Sequence, residues 1–424
     1  VLQWDQETYL PGKGTDARNR QVATLSETAH QEFTKDTLGE LLTTLLEKQD
    51  LTDKQRRNVE LSLGDFEKSK KLPSAFVRKS SEIINKSFHL WVAARKENNF
   101  SIFKEALQDV IQIKREEAEM LGYEKHPYDA LMNEYDRGLD VAFTDNLFSG
   151  LKPELQSMLD AIRDMPQVSN DFLHQHFDRQ QQWDFGISLL KNMHYDFEAG
   201  RQDISEHPFT TNFSSRDVRI TTRIDEKDLA NMIWSCIHEG GHALYEQGLP
   251  DEEYGLPLGE YCSLSIHESQ SRIWENCIGR SLPYWTYHYP QLQKTFPAQL
   301  ESVSVTDFYK GINQVIPSLI RTEADELTYH FHVMIRYEIE KALMAAKLGS
   351  SEAQCFLFNC YQAYNPFYTF HVKQVPESSG IDHAENPWPV FWGLLEGLRL
   401  RTFTGHAARD AIAECMRRFD STEW

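Results

Sequence analysis

The stretch Ile237-His238-Glu239-Gly240-Gly241-His242 decides how the rest of the chain is read. Its pattern is His-Glu-x-x-His. On an α-helix residues four apart share a face, so His238 and His242 can offer two imidazoles to one metal ion. Glu239 sits beside the first imidazole, where it can act as general base on a metal-bound water. The flanks supply the helix: Leu229, Ile233, Cys236 and Ile237 recur at helical spacing. Asp225 and Asp228 suit its start, and Gly248 offers a stop. The rival reading is two unrelated histidines on an exposed helix, since short patterns arise by chance in a long chain. Gly240 and Gly241 weigh against chance, because each mid-helix glycine costs on the order of 1 kcal/mol relative to Ala. Close approach of another backbone would offset that. The spacing does not say which of the two needs the room.

Composition frames the rest. The chain has 424 residues, 40% hydrophobic and 25% charged, ordinary for a soluble globular protein with a large core. With 44 Lys and Arg against 64 Asp and Glu, the net charge is −20. That disfavours nucleic acid or an anionic membrane as partner. No apolar run approaches the ~18 residues of a membrane span, and no signal peptide is visible. Starting at Val1 rather than Met, the chain leaves room for a preceding segment. Cys236, Cys262, Cys277, Cys355, Cys360 and Cys415 form no CxxC pair. They read as buried thiols of a reducing compartment, so a cytoplasmic location is expected.

Residues 1–200 read as helix after helix. Thr52 and Gln55 form a capping box, and Pro73 opens a long helix with Phe76, Ser80, Ile84, Phe88 and Trp91 on one face. Tyr128 to Gly138 reads as irregular, and Pro153 is expected to break or restart the helix that carries Leu147, Leu151, Leu155 and Leu159. The period changes once: Val218, Ile220, Thr222 and Ile224 alternate with polar neighbours, and Thr210 to Phe213 suits a hairpin partner. A small antiparallel sheet is therefore expected just before the His-Glu-x-x-His helix. Pro283 to Pro297 reads as a loop or broken helix.

Two imidazoles need a third protein ligand, with a fourth position left for water. Glu268 is the candidate, one loop and one returning helix beyond His242. Arg272, one turn on, could orient its carboxylate. Spacing alone leaves a plain i,i+4 surface pair between Glu268 and Arg272 equally open. His267 is a rival ligand, but it faces another side of the same helix.

At this point the residues carry a resemblance. The chain resembles the thermostable carboxypeptidase 1 family, peptidase family M32. Asp217-Val218-Arg219-Ile220-Thr221 is similar to the family's DxRxT strand. His238 to His242 matches its metal helix, and His267-Glu268-Ser269 its HES element, whose Glu is the third ligand. Ile320-Arg321-Thr322-Glu323-Ala324-Asp325 matches its IRxxAD element. Trp4-Asp5-Gln6-Glu7-Thr8 and His207-Pro208-Phe209 are similar to family segments as well. The resemblance runs from about residue 1 to 348. The family's GxxQDxHW and GYFPTY-like elements are absent near 348/349, where several tens of residues are expected to be missing, through disorder or deletion. An intact mass equal to 49.3 kDa would sink the disorder version.

The resemblance implies a mainly α fold: one large helical domain with a deep substrate groove and a small antiparallel β-sheet beside the metal helix. Within residues 1–424 it implies a helical half at about 1–205, a metal-site half at about 206–348 and C-terminal helices over 349–424. It implies a carboxypeptidase that removes single residues from peptide C-termini, with one zinc or cobalt ion per chain on His238, His242 and Glu268. Glu239 would be the base, with His267 and Arg272 supporting the ligands from outside. Arg321 would capture the substrate carboxylate, or else pair with Glu323 or Asp325. Arg219 would touch substrate, or else pair with Asp217. Peptides with a free C-terminus are the implied substrates, and a homodimer the implied assembly. Two other readings stand beside it: an oligopeptidase or dipeptidase on a similar groove, and a non-catalytic metal-binding scaffold.

Overall fold

The computed structural model describes residues 1–346, apart from residues 98, 164, 167, 318–320 and 322–323. The 348/349 junction and the C-terminal helices expected over 349–424 lie outside the described residues. Among the described residues nine α-helices precede the first strand: α1 (Leu2–Thr8), α2 (Thr15–Phe33), α3 (Asp36–Leu46), α4 (Asp53–Lys70), α5 (Ser74–Glu97), α6 (Lys104–Leu121), α7 (Pro127–Met132), α8 (Val141–Arg163) and α9 (Arg179–Asn192). Then come β1 (Gly200–Ile204), β2 (Thr210–Ser214) and β3 (Asp217–Thr222). After them run α10 (Leu229–Gln247), α11 (Leu264–Arg272), α12 (Leu282–Thr295), α13 (Pro297–Leu300), α14 (Val305–Ile312) and α15 (Glu326–Met344). No helix among the described residues is long and apolar enough to cross a membrane.

Local chemistry sets the ends of these elements. Thr52 and Gln55 close the capping box of α4. Pro153 does not break α8, contrary to expectation; the helix runs through it. Pro153 and Ser149 are both exposed, so the carbonyl freed one turn back can face water. Phe148, Leu155 and Leu159 meanwhile keep both sides of the proline anchored in the core. Pro283 to Pro297 is likewise neither a loop nor a helix broken at Pro290: α12 runs unbroken to Thr295, and the break comes only at Phe296, before α13. Pro283 occupies the first turn of α12 behind the Ser281 cap, and Pro290 lies exposed within it. Trp285, His288, Tyr289 and Leu292 form its buried stripe. Tyr128 to Gly138 is irregular only after Met132, because His126 caps α7.

The sheet departs from expectation as well. It is mixed rather than antiparallel, in the order β1-β3-β2. β2 pairs antiparallel with β3 as the alternation predicts, and β1 adds in parallel on the other side of β3. β1 carries no apolar alternation, because its buried positions are the polar Gln202 and Asp203. Gly200 admits it: a Cβ there would collide with the carbonyl oxygen of Val218 and the hydroxyl of Tyr195.

Two apolar clusters hold the described chain. The first joins α5, α6, α7, α8 and α15 around Trp91, Phe103, Tyr128 and Met334. The second joins α9, β3, α10, α12 and α14 around Phe185, Ile220, Ile237, Trp285 and Phe308. α10 is central to the second, packed against β2, β3, α9 and α11. The expectation of buried cysteines is corrected in part: Cys236 is buried, but Cys262 is exposed and Cys277 only partly buried, while Cys355, Cys360 and Cys415 lie outside the described residues.

Candidate metal centre and substrate groove

The Asp228 carboxylate accepts from the backbone N–H of Ala230 and starts α10; Gly248 ends it. Leu229, Met232, Ile233, Cys236 and Ile237 turn into the second cluster. Trp234, Ser235, His238 and Glu239 instead line a cavity of about 390 Å³. The twin glycines now separate. A Cβ on Gly241 would lie 2.8 Å from Ser271 Cα and 2.9 Å from the Gln270 carbonyl oxygen. A Cβ on Gly240 would meet only the flexible ends of Leu190 and Met193, at 2.8 Å. Gly241 is therefore where α11 crosses α10 backbone to backbone. That crossing carries Glu268 over the two imidazoles.

The Glu268 Oε2 atom lies 3.3 Å from His242 Nε2 and 3.6 Å from His238 Nε2. One ligand atom from each of the three residues falls within 4.8 Å of the others. Ligands bonded at about 2.0–2.2 Å on a tetrahedron stand roughly 3.3–3.6 Å apart, so this donor set fits a small divalent cation. The three side chains are between 16% and 23% exposed, which leaves solvent a way in. The Glu268–Arg272 pair is not a surface pair, since Arg272 is buried.

Each of the three side chains is held from behind. Glu275 Oε2 accepts from His238 Nδ1 at 2.8 Å and from Arg272 Nη1 at 3.0 Å. Arg272 Nε donates to Glu268 Oε1 at 3.2 Å, and Arg280 stands 3.7 Å from Glu275. His267 is not turned away from the site. Its Nδ1 meets His242 Nδ1 at 2.6 Å and its Nε2 meets Glu246 Oε1 at 2.7 Å. Glu239 accepts from the Thr210 hydroxyl at 2.6 Å.

Sequence reasoning missed Glu275, Glu246 and Thr210. Glu275 lies in a π-helical segment, Ile273–Gly279, whose wide turns put side chains off the α period. Glu246 did carry a signal, one helical turn beyond His242. Thr210 carried none, because only the packing of β2 on α10 brings it near.

Electrostatics follow from these contacts. Burial pushes the His242 imidazole down to about 4, with His238 and His267 adding repulsion. For His238 burial acts the same way, but Glu268 and Glu275 override it and raise the ring to about 9. Burial opposes ionisation of Glu268 and Glu275 too. The facing imidazoles and Arg272 win, holding Glu268 well below the carboxylate range and Glu275 at about 2. Glu239 shifts the other way: its burial raises the carboxyl above its usual value.

The remaining expected residues divide. Arg321 lines the same cavity as His238 and Glu239, and its Nη1 donates to the Tyr329 hydroxyl at 2.5 Å. Asp325 caps α15, accepting from the N–H groups of Leu327 and Thr328. Arg219 is a two-pronged partner of Asp217, at 2.8 and 2.9 Å, with its guanidinium over the rings of Trp4 and Phe213.

A solvent-reachable cation site with a buried carboxylate beside it, set in the wall of a groove, is the equipment of a helical metallopeptidase. The chain belongs to the carboxypeptidase Taq (M32) metallopeptidase family, whose sequence profile matches residues 1–367. It is 36% identical over 368 residues to carboxypeptidase 1 of Bacillus subtilis, covering 86% of this chain and 73% of that protein. It is 37% identical over 364 residues to thermostable carboxypeptidase 1 of Thermus thermophilus, covering 82% and 71%. Among solved structures, the M32 carboxypeptidase from Deinococcus radiodurans superposes with a TM-score of 0.79 at 37% identity, over 86% of this chain and 73% of that one. Trypanosoma cruzi metallocarboxypeptidase 1 superposes with a TM-score of 0.81 at 29% identity, over 99% and 83%. The protein is a metal-dependent carboxypeptidase, and the resemblance read from the motifs holds.

Proposed function

We propose that the chain acts as one peptidase domain. It holds one zinc or cobalt ion on His238, His242 and Glu268, and removes single residues from peptide C-termini with Glu239 as general base. The observation that carries this reading is the convergence of those three ligand atoms within 4.8 Å beside the buried Glu239 carboxylate. Bound there, a divalent ion supplies Lewis acidity toward the scissile carbonyl and acidifies a water to a pKa of roughly 7. Glu239 takes the proton of the attacking water and returns it to the leaving amine. Its burial supports this role, because a raised carboxyl is a better-matched base near neutral pH. Arg321 receives the substrate's terminal carboxylate on its fork, which matches two oxygens at once. The Tyr329 hydroxyl supports the orientation of that fork. Arg219, committed to Asp217, supports the sheet rather than the substrate.

The test pairs two substrates with one variant. An N-blocked peptide with a free C-terminus should be cleaved, and its amidated twin should not. Equal cleavage of both would overturn carboxylate capture and favour the oligopeptidase reading. Glu239→Gln should lose 10²-fold or more in kcat, on the order of a general base's contribution, with its metal retained. No loss would favour the scaffold. A homodimer in the cytoplasm completes the reading, by analogy with the family and from the thiol chemistry of the sequence.

A further inference from the structure

The two carboxylates that α10 contributes besides its imidazoles are both held by one strand. Thr210 and Asn212 are two apart on β2 and therefore share a face. Glu239 and Glu246 are seven apart on α10 and share a face two turns long. The Thr210 hydroxyl donates to Glu239 Oε2 at 2.6 Å and lies 3.1 Å from the Glu239 carbonyl oxygen. The Asn212 amide Nδ2 donates to Glu246 Oε2. The other oxygen of Glu246, a residue only 4% exposed, accepts from His267 Nε2.

We propose that β2 is the positioning strand of this site: Thr210 orients the Glu239 carboxylate, and Asn212 orients the His242 imidazole through Glu246 and His267. The proposal rests on the roles given above to Glu239 and His242. Its chemistry is directional. With Glu246 as a carboxylate, which only accepts, and His267 as a singly protonated ring, the His267 proton sits on Nε2 and Nδ1 is left as an acceptor. His242 must then donate from Nδ1, which leaves the lone pair of its Nε2 facing Glu268 Oε2 at 3.3 Å. Run the other way, the chain of bonds would put a proton on Nε2, where a cation needs a lone pair. Thr210 acts on the neighbouring residue with a single bond, which selects one rotamer of a carboxylate that is otherwise free to turn about its last torsions. β2 can do both because it is an edge strand: β3 holds one side of it, and its side chains reach α10.

The two halves have separate readouts. Thr210→Val keeps the shape and removes the hydroxyl. It should lower kcat roughly 10–100-fold with KM and zinc affinity unchanged, and Thr210→Ser should restore most of the loss. Glu246→Ala should weaken zinc binding roughly 10–100-fold in a chelator competition, and Glu246→Gln, which keeps an accepting oxygen, should recover much of it. Asn212→Ala should weaken zinc binding in the same direction by less. Melting curves of the metal-free variants separate these effects from loss of fold, and the Ser and Gln variants decide if Val or Ala fails to fold. Failure of Thr210→Ser to restore kcat, or a zinc affinity within twofold of wild type in Glu246→Ala, overturns the corresponding half. Glu239→Gln run in parallel distinguishes the two failures. If it keeps full activity, the base assignment falls and takes the Thr210 half with it, while the Glu246 half is still judged on zinc affinity alone.

Discussion

His238 and His242 are chemically alike but backed differently. His238 leans on a carboxylate that two guanidinium groups hold in place, whereas His242 leans on a second imidazole. Removing the charge behind His238 should therefore be felt in the metal, and in stability too, since it leaves the buried Arg272 short of a counter-charge. We expect Glu275→Gln to weaken zinc affinity roughly 10–100-fold, measured by chelator competition, because Arg272 and Arg280 lose the carboxylate that balances them. An affinity equal to wild type would show that Glu275 only packs. A second residue-scale prediction concerns His330, on α15. Burial, reinforced by Arg272, pushes its ring down to about 4 from 6.5. In the unfolded chain the ring takes up its proton near 6.5, and in the folded chain not until about 4. Stability from this group is thus complete above the unfolded value and lost as pH falls through that window. The loss is on the order of 3 kcal/mol at most. His330→Asn should flatten the fall in Tm between pH 7 and pH 4.5 relative to wild type; parallel curves would remove His330 as a cause.

At the scale of elements, the site depends on how closely two helices approach. The imidazoles of α10 are one turn apart by the geometry of any helix, but Glu268 reaches them only because α11 crosses at Gly241. Gly241→Ala pushes a methyl against the backbone of Gln270 and Ser271. Overpacking of this kind costs roughly 1–3 kcal/mol, more than the ~1 kcal/mol that Ala adds to helix propensity. We expect a net loss of stability together with weaker zinc binding. Gly240→Ala meets only side-chain ends that can swing aside, so its stability should match or exceed wild type. Denaturant melts of the two variants give the comparison, and equal losses would place the crossing elsewhere. The π-helical turns after α11 belong to this scale too: they bring Glu275 behind His238 while Arg272 stays on Glu268.

For the whole molecule, metal and fold are coupled but separable. The described chain has two large apolar clusters: α10 packs within the second, and Tyr329, whose ring lies against Arg272, packs on the first, so the core extends well beyond the metal site on both sides. Chelation should therefore abolish peptide cleavage and lower Tm while leaving a cooperative melt, unlike small zinc domains that unfold without metal. Linkage sets the scale: a ligand at a hundred times its Kd stabilises by about 2.7 kcal/mol. Zinc or cobalt added back should restore both activity and Tm. Loss of cooperative melting on chelation would mean that the core is not independent of the ion.

Much of this architecture is written locally, which is why it was readable in advance. The period of α10, the Asp228 cap, the Thr52–Gln55 box and the alternation of β3 all depend on neighbours within a few residues. The His-Glu-x-x-His spacing needs only the pitch of a helix. Motif order was enough to place the chain in its family. What stayed hidden depends on partners distant in the chain. β1 hides polar residues, so no alternation marks it. Pro153 and Pro290 stay helical because buried residues on both sides outweigh one missing hydrogen bond. The sequence by itself determined a helix bearing two imidazoles with Glu239 beside the first, and pointed to Glu268 as the carboxylate that answers them. Tertiary structure alone decided that Gly241 is the contact point, that Glu275, His267 and Glu246 stand behind the imidazoles, and that β2 reaches Glu239. The reason is range: a helix sets distances over one or two turns, but convergence of separate elements is decided by which backbones can touch.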